Sequence, residues 1–365
     1  MSLENLGWGP DQAQSFSVVV SQSSLPLVPG RVVRQERGLL TVQIAERTLR
    51  ARTAGRLLHL AAGIESLPTV GDWVALVMPP GGAGDGLLQA VLPRRGVLQR
   101  REAGSERDGQ LIAANLDVVF VVTGLDGNFN PRRIERALAM AWGSGASPVV
   151  LLSKADLLLV DAQDVVDEVS ALAPGVPVLA MSAWTGEGLD AVRALIPPRH
   201  TAALLGSSGV GKSTLVNQLL GETRLATQAV SALDDRGRHT TTHRQLFVLP
   251  HGGLLIDGPG MRELGLWGED EDEGVDQTFA DVLALAAECR FNDCQHQREP
   301  GCAVRAAVAS GTLPEARLSS FEKLRREQAF QARRTNTAGQ REQRRFEKSR
   351  SVLGWEITRA KRRKD

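Results

Sequence analysis

The sequence predicts a multidomain chain: an amino-terminal OB-like β-barrel, a central α/β P-loop domain, and a carboxyl-terminal α-helical metal-binding domain. Three observations carry this. Five short β-type runs separated by turns fill roughly residues 30–101. From about Leu111, apolar runs alternate with amphipathic helical segments, the mark of a parallel sheet with crossovers. All three cysteines lie between 289 and 302, beside a histidine. The expected divisions are a loose leader over 1–28, the barrel over 29–104, the nucleotide domain over 105–268, the helical domain over 269–335 and a basic tail over 336–365.

Residues 1–28 show no clear periodicity, and the acidic Glu4 and Asp11 do not suit a signal peptide. In the barrel, strands are expected over Arg31–Arg34, Leu39–Ile44, Thr48–Thr53, Asp72–Val77 and Gly86–Val91, with Gly81-Gly82-Ala83-Gly84 turning between the last two. That density of short strands fits a small barrel such as an OB-fold, with its oligonucleotide-binding face. The stretch carries arginine and no lysine, a modest basic bias open to either nucleic-acid contact or protein docking.

In the central domain, Leu116–Thr123 reads as a buried strand, and Asn130 before Pro131 starts a helix that Gly143 follows. Further strands are expected at Pro148–Leu152, Val176–Met181, Ala202–Leu205, Gln245–Leu249 and Leu254–Ile256. Each motif below follows one of them, at the sheet edge where ligands of open α/β sheets bind.

Gly206-Ser207-Ser208-Gly209-Val210-Gly211-Lys212-Ser213, followed by Thr214, fits G-x-x-x-x-G-K-[ST] between a strand and a helix. Such glycines let backbone N–H groups turn towards phosphates, and the helix terminus adds favourable partial charge. Lys212 would reach the β- and γ-phosphates, and the Ser213 hydroxyl would ligate Mg²⁺. Asp257-Gly258-Pro259-Gly260 follows about 45 residues later on a strand. There Asp257 can hold Mg²⁺, and the Gly260 N–H can meet the γ-phosphate.

Ser153-Lys154-Ala155-Asp156 and Ser182-Ala183 come before the phosphate loop. The Asp156 carboxylate matches the two donors of guanine at N1 and the 2-amino group, whereas adenine has no proton on N1. Lys154 would lie along the base, and the Ala183 N–H would meet O6. Lys154 and Lys212 are the only lysines before residue 323. In an ordinary GTPase the phosphate loop precedes the base-reading motifs, so the rotated order here predicts a circularly permuted GTPase. Ser153 stands where Asn is usual, which predicts a lost bridge to the phosphate loop and weaker nucleotide affinity.

Between phosphate loop and Asp257 runs Gly237-Arg238-His239-Thr240-Thr241-Thr242. A switch threonine completing the Mg²⁺ shell is expected here, with Thr241 ranked first. Position 261, where Ras-like enzymes carry a water-orienting Gln, is Met261. Slow intrinsic hydrolysis follows, with His239 or a partner's group assisting.

Cys289, Cys294, His296 and Cys302 form C-x4-C-x-H-x5-C. Four such ligands match a closed Cys₃His site for one structural Zn²⁺, which would fold this unit rather than catalyse.

Hydrophobic residues make up 42% and charged residues 23%, as in globular proteins, and no apolar run approaches the ~20 residues of a membrane span. Cysteine use argues against a disulfide framework and for the cytoplasm. From Lys323 onward 15 Lys+Arg face 5 Asp+Glu, a footprint for nucleic acid or an acidic surface. A P-loop kinase or ATPase is disfavoured by Asp156 and Ser182-Ala183. A guanine-nucleotide-dependent RNA-binding module with incidental hydrolysis is the alternative to a GTPase.

The permuted motifs, the string Gly-Arg-His-Thr-Thr, Phe291-Asn-Asp-Cys-Gln-His and Glu299-Pro-Gly-Cys-Ala-Val together resemble the RsgA (YjeQ, EngC) family over roughly residues 30–330. These are circularly permuted GTPases dependent on the small ribosomal subunit. The resemblance implies late small-subunit assembly, subunit-stimulated hydrolysis of GTP with Mg²⁺, contact with rRNA, and help in releasing an assembly factor. A monomer without membrane association is expected.

Overall fold

A computed structural model describes residues 2–36, 39–60, 66–79, 81, 84–101, 109–126, 129–222, 243–259, 261 and 271–330. Strands β1 (Leu27–Glu36), β2 (Leu39–Gln43), β3 (Thr48–Thr53), β4 (Trp73–Val77) and β5 (Gly86–Val91) stand where five were expected, but β1 is longer than Arg31–Arg34 and begins inside the expected leader. They run in the order β1-β2-β3-β5-β4, with β3 and β5 parallel, and a β1–β4 pairing closes the barrel. Alternation explains the closure: along β3, Leu49 and Ala51 point inward while Arg50 and Arg52 point out.

The leader differs from expectation. A helix, α1 (Pro10–Ser21), begins after Gly9, whose N–H donates to Gln12 Oε1 at 3.0 Å. Leu3 and Leu6 are buried, and the Trp8 ring meets Trp73 edge-on at 5.1 Å. None of the residues of α1 is buried, so its apolar periodicity was weak. Pro10 at the first helical position was the usable signal. A short helix, α2 (Gly55–Leu60), follows β3. Strands β6 (Val97–Arg101) and β7 (Gly109–Ala114) pair with each other, so the expected 104/105 division falls inside a two-stranded unit.

The central sheet contains β8 (Val118–Gly124), β9 (Ser147–Ser153), β10 (Val178–Ala180), β11 (Thr201–Leu205), β12 (Arg244–Val248) and β13 (Leu254–Asp257). Their order is β10-β9-β8-β11-β13-β12, parallel except for β12. Helix α3 (Pro131–Gly143) links β8 to β9, α4 (Ala162–Leu172) links β9 to β10, and α5 (Leu189–Ala194) links β10 to β11. The chain moves outward from β8 to β10 and returns to β11, so the topological switch point lies between β8 and β11. Strand β12 also pairs with β1, joining barrel and sheet edge to edge.

Arg31 stitches these units together. Its buried guanidinium donates to the carbonyls of Leu6 and Gly71 and to Thr201 Oγ1 (2.9 Å), and lies 5.0 Å from the Trp73 ring centroid. Burial lowers its pKa to about 10, so it stays cationic at neutral pH.

After β11 comes α6 (Lys212–Leu220). Helix α3 packs against α7 (Glu271–Thr278) of the carboxyl-terminal unit, which continues through α8 (Ala280–Ala287), α9 (Ala303–Ala309) and α10 (315–330). Asn130 caps α3 by accepting from the Arg132 N–H at 3.0 Å, as its sequence predicts.

Candidate nucleotide site and metal centre

Strand β11 delivers the phosphate loop to the switch point, and α6 carries the chain away. Gly206 is pressed against β8, where a Cβ would fall 2.3 Å from the Val122 carbonyl oxygen. Gly209 and Gly211 have φ of +82° and +91°, a region closed to most side chains. Lys212 is buried and donates to the carbonyls of Gly206 and Ser207, the latter at 2.7 Å. Its ammonium thus sits inside the loop. Ser213 and Thr214 occupy the first turn of α6 with Ser207 and Ser208 in the loop ahead, and Val210 is buried below.

Asp257 ends β13, beside β11, and is buried. Its position at the same sheet edge suits a carboxylate that holds Mg²⁺ near phosphates. Gly260, His239 and Thr241 lie outside the described residues. Met261 is fully buried in the core, and its carbonyl accepts from the Gly206 N–H at 3.0 Å.

The base-reading motifs emerge from β9 and β10. Asp156 lies in the short 3₁₀ turn Ala155–Leu157 and accepts from Ser182 Oγ at 2.5 Å. Ser182 Oγ itself accepts from the N–H groups of Trp184 and Thr185 at 3.2 Å. The two loops therefore fix one another, and the Asp156 carboxylate is oriented by a hydroxyl whose own direction is set by backbone. Ala155 N–H donates to Met181 O at 3.1 Å, while Ala183 is buried in the turn between.

Ser153 overturns the expectation of a lost bridge. Its buried Oγ lies 2.6 Å from the Val210 carbonyl oxygen and 3.1 Å from that of Thr123. A hydroxyl suffices because Val210 O approaches the end of β9 closely enough for the short side chain to reach it.

Sequence reasoning missed Asp126. Its carboxylate pairs with Lys154 Nζ at 2.5 Å, anchoring a residue whose backbone is left-handed (φ 63°). A non-glycine residue held there commonly marks a functional loop. The usable signal was a carboxylate two residues beyond Gly124, at the carboxyl end of a strand bordering the switch point.

The second site gathers Cys289, Cys294, His296 and Cys302, whose ligand atoms all lie within 4.8 Å of one another. His296 presents Nδ1, 3.6 Å from Cys289 Sγ and 3.5 Å from Cys302 Sγ. Cys302 also caps α9, accepting from the Arg305 N–H at 3.4 Å. Three soft sulfurs and one imidazole nitrogen around a common point can hold a tetrahedral ion.

The chain as a whole resembles known proteins. The family model described as RsgA GTPase matches residues 91–267. A small ribosomal subunit biogenesis GTPase RsgA of Opitutus terrae is 50% identical over 343 residues, covering 92% of each chain. Its namesake in Streptomyces coelicolor is 46% identical over 365 residues, 99% of this chain and 96% of that one. The crystal structure of YjeQ from Thermotoga maritima superposes with a TM-score of 0.58 at 25% identity, over 82% of this chain and 97% of that one. YloQ, described as a circularly permuted GTPase, shares the fold with a TM-score of 0.55 at 22% identity, over 84% of this chain and 96% of that one. The chain is therefore a member of the RsgA GTPase family, a GTP hydrolase built on a circularly permuted domain.

Proposed function

We propose that this GTPase acts late in assembly of the small ribosomal subunit and that the subunit stimulates its hydrolysis. The observation that carries this is the burial of Met261. A thioether cannot polarise water, and this one is fully buried in the core. The group that orients the attacking water must therefore come from elsewhere, either His239 or the partner, and intrinsic turnover is slow. The relatives' names, which specify small-subunit biogenesis, supply the partner.

In this reading Lys212, Ser213, Asp257, Gly260 and Thr241 hold GTP with Mg²⁺, and one Zn²⁺ in the Cys₃His group keeps the helical domain folded. Contact with rRNA runs through the barrel, where Arg50 and Arg52 share Asp85 yet keep side chains 69% and 72% exposed, and through the basic carboxyl terminus. Hydrolysis lowers affinity for the subunit and promotes release of an assembly factor. The protein works as a cytoplasmic monomer; no helix among the described residues is long and apolar enough to cross a membrane.

The test is GTP hydrolysis by purified protein alone, with small subunits, and with large subunits as control. Selective acceleration by small subunits is expected. Equal rates in all three sink the partner assignment while leaving the GTPase intact. A His239→Ala variant with unchanged stimulated turnover assigns water positioning to the partner.

A further inference from the structure

Arg244 opens β12 directly opposite Gln35 of β1, at the seam where the barrel joins the central sheet. Its guanidinium is nearly buried and reaches three separate segments. Nε donates to the Pro259 carbonyl at 3.0 Å, in the loop that follows Asp257. Nη1 donates to the Leu111 carbonyl of β7 at 2.8 Å and to Gln35 Oε1 at 3.4 Å. Gln35 Oε1 also accepts from Thr69 Oγ1 at 3.3 Å, which fixes it within the barrel. One residue earlier, His243 Nδ1 lies 3.5 Å from Arg34 Nη2 of the same barrel strand.

All three acceptors of Arg244 are neutral. Burial, with Arg100 nearby, lowers its pKa to about 10, so the cation persists at neutral pH at a desolvation cost. An apolar side chain would fill this space without that cost. What an apolar side chain could not do is hold Pro259, Leu111 and Gln35 at fixed mutual distances.

We propose that Arg244 is a positioning residue for hydrolysis, tying the loop that follows Asp257 to strand β1 of the barrel so that barrel docking and phosphate state act on one another. The proposal extends the reading that a partner docks on the barrel. Nη1 is committed to Leu111 and Gln35, so the donor cannot follow a displaced Pro259 carbonyl. Loop movement at the γ-phosphate must break that bond or pull on β1. By thermodynamic reciprocity, a partner that fixes β1 biases the loop by the same free energy.

The experiment compares hydrogen–deuterium exchange over residues 27–36 with GDP and with a non-hydrolysable GTP analogue at saturation. It uses the full chain as wild type, Gln35→Ala and Gln35→Glu. In the wild type the two nucleotides are expected to give exchange rates in β1 that differ by about fivefold or more, the lower end of typical coupling. Gln35→Ala removes the difference, and Gln35→Glu, whose carboxylate accepts from Arg244 more strongly, retains it.

Equal exchange with both nucleotides in the wild type overturns the proposal, reducing Arg244 to a structural staple. A difference that survives in Gln35→Ala overturns it equally. Neither reading needs a ribosome, so the result stands apart from the subunit assay. If wild type is stimulated by small subunits, Gln35→Ala is expected to lose that stimulation by about fivefold or more.

Discussion

The Ser153 hydroxyl lies 2.6 Å from the Val210 carbonyl oxygen, joining the strand that carries the base-reading motif to the phosphate loop. Both residues are buried, so the two halves of the nucleotide site share one water-excluded contact. The same oxygen lies 3.1 Å from the Thr123 carbonyl, and a hydroxyl has one proton to give. Ser153→Ala leaves both carbonyls without that donor, at a cost of about 1–3 kcal/mol. Affinity for GDP and GTP is expected to fall about fivefold or more, read by competition against a fluorescent nucleotide. Unchanged affinity would show that the bridge does not position the loop.

If Asp156 reads the base, its substitution changes which nucleotide binds. With Ser182 Oγ on one carboxylate oxygen at 2.5 Å, Asp156 keeps acceptor capacity for further donors. Asp156→Asn replaces an acceptor by a donor, so guanine loses up to about 10⁴-fold in affinity. A xanthine nucleotide, which carries a carbonyl at position 2, is expected to bind the variant more tightly than GTP does. Ser182→Ala keeps the carboxylate but frees its orientation, giving a smaller loss with guanine preference retained. An Asp156→Asn protein that still prefers GTP would refute the assignment.

Residues whose chemistry demands a fixed type at fixed spacing were legible in the sequence. Gly206 to Ser213, which turns from strand to helix, and the Cys₃His residues, which the fold gathers, are of this kind. Contacts between segments distant in sequence were not. The pairing of Asp126 with Lys154 depends on β8 and β9 being neighbours, and no spacing rule encodes it. Ser153 was misjudged for the same reason: its reach is decided by how closely Val210 approaches β9, not by side-chain length alone. The helix α1 escaped because its contribution to the core comes from Leu3, Leu6 and Trp8 ahead of it, not from an apolar stripe.

The Cys₃His group gives a separable prediction. Purified protein is expected to carry one zinc per chain by elemental analysis, and Cys302→Ser to carry none. Zinc binding contributes about 10–16 kcal/mol to the folding of comparable small units. The variant is therefore expected to expose residues 271–330 to protease, while guanine-nucleotide affinity, which the proposed site draws from residues ahead of that unit, persists. Stoichiometric zinc in Cys302→Ser would remove this cysteine from the ligand set.

Arg317 locks the helical domain to the nucleotide domain. It donates to Glu135 of α3 at 2.9 Å and to Asp281 of α8 at 2.6 and 2.8 Å, with the Phe279 ring 4.8 Å away. Burial raises the Glu135 pKa, opposed by a Ser320 hydrogen bond and by Arg317. A carboxyl whose folded pKa exceeds its unfolded value binds more protons when folded, so its contribution falls as pH rises through that folded value. Arg317→Met leaves the buried Glu135 charge unpaired, and breaking such a pair costs about 3–5 kcal/mol. The Glu135 pKa then climbs further, and the loss is expected to be largest at neutral pH and to shrink as pH falls towards the ordinary Glu range. Glu135→Gln removes the titrating group, and Arg317 keeps Asp281, so this variant is expected to lose far less stability at neutral pH. Denaturant melts of the three proteins at pH 5 and pH 7.5 check the sign. A penalty for Arg317→Met that grows on acidification would contradict the assignment of Glu135 as the group left uncompensated.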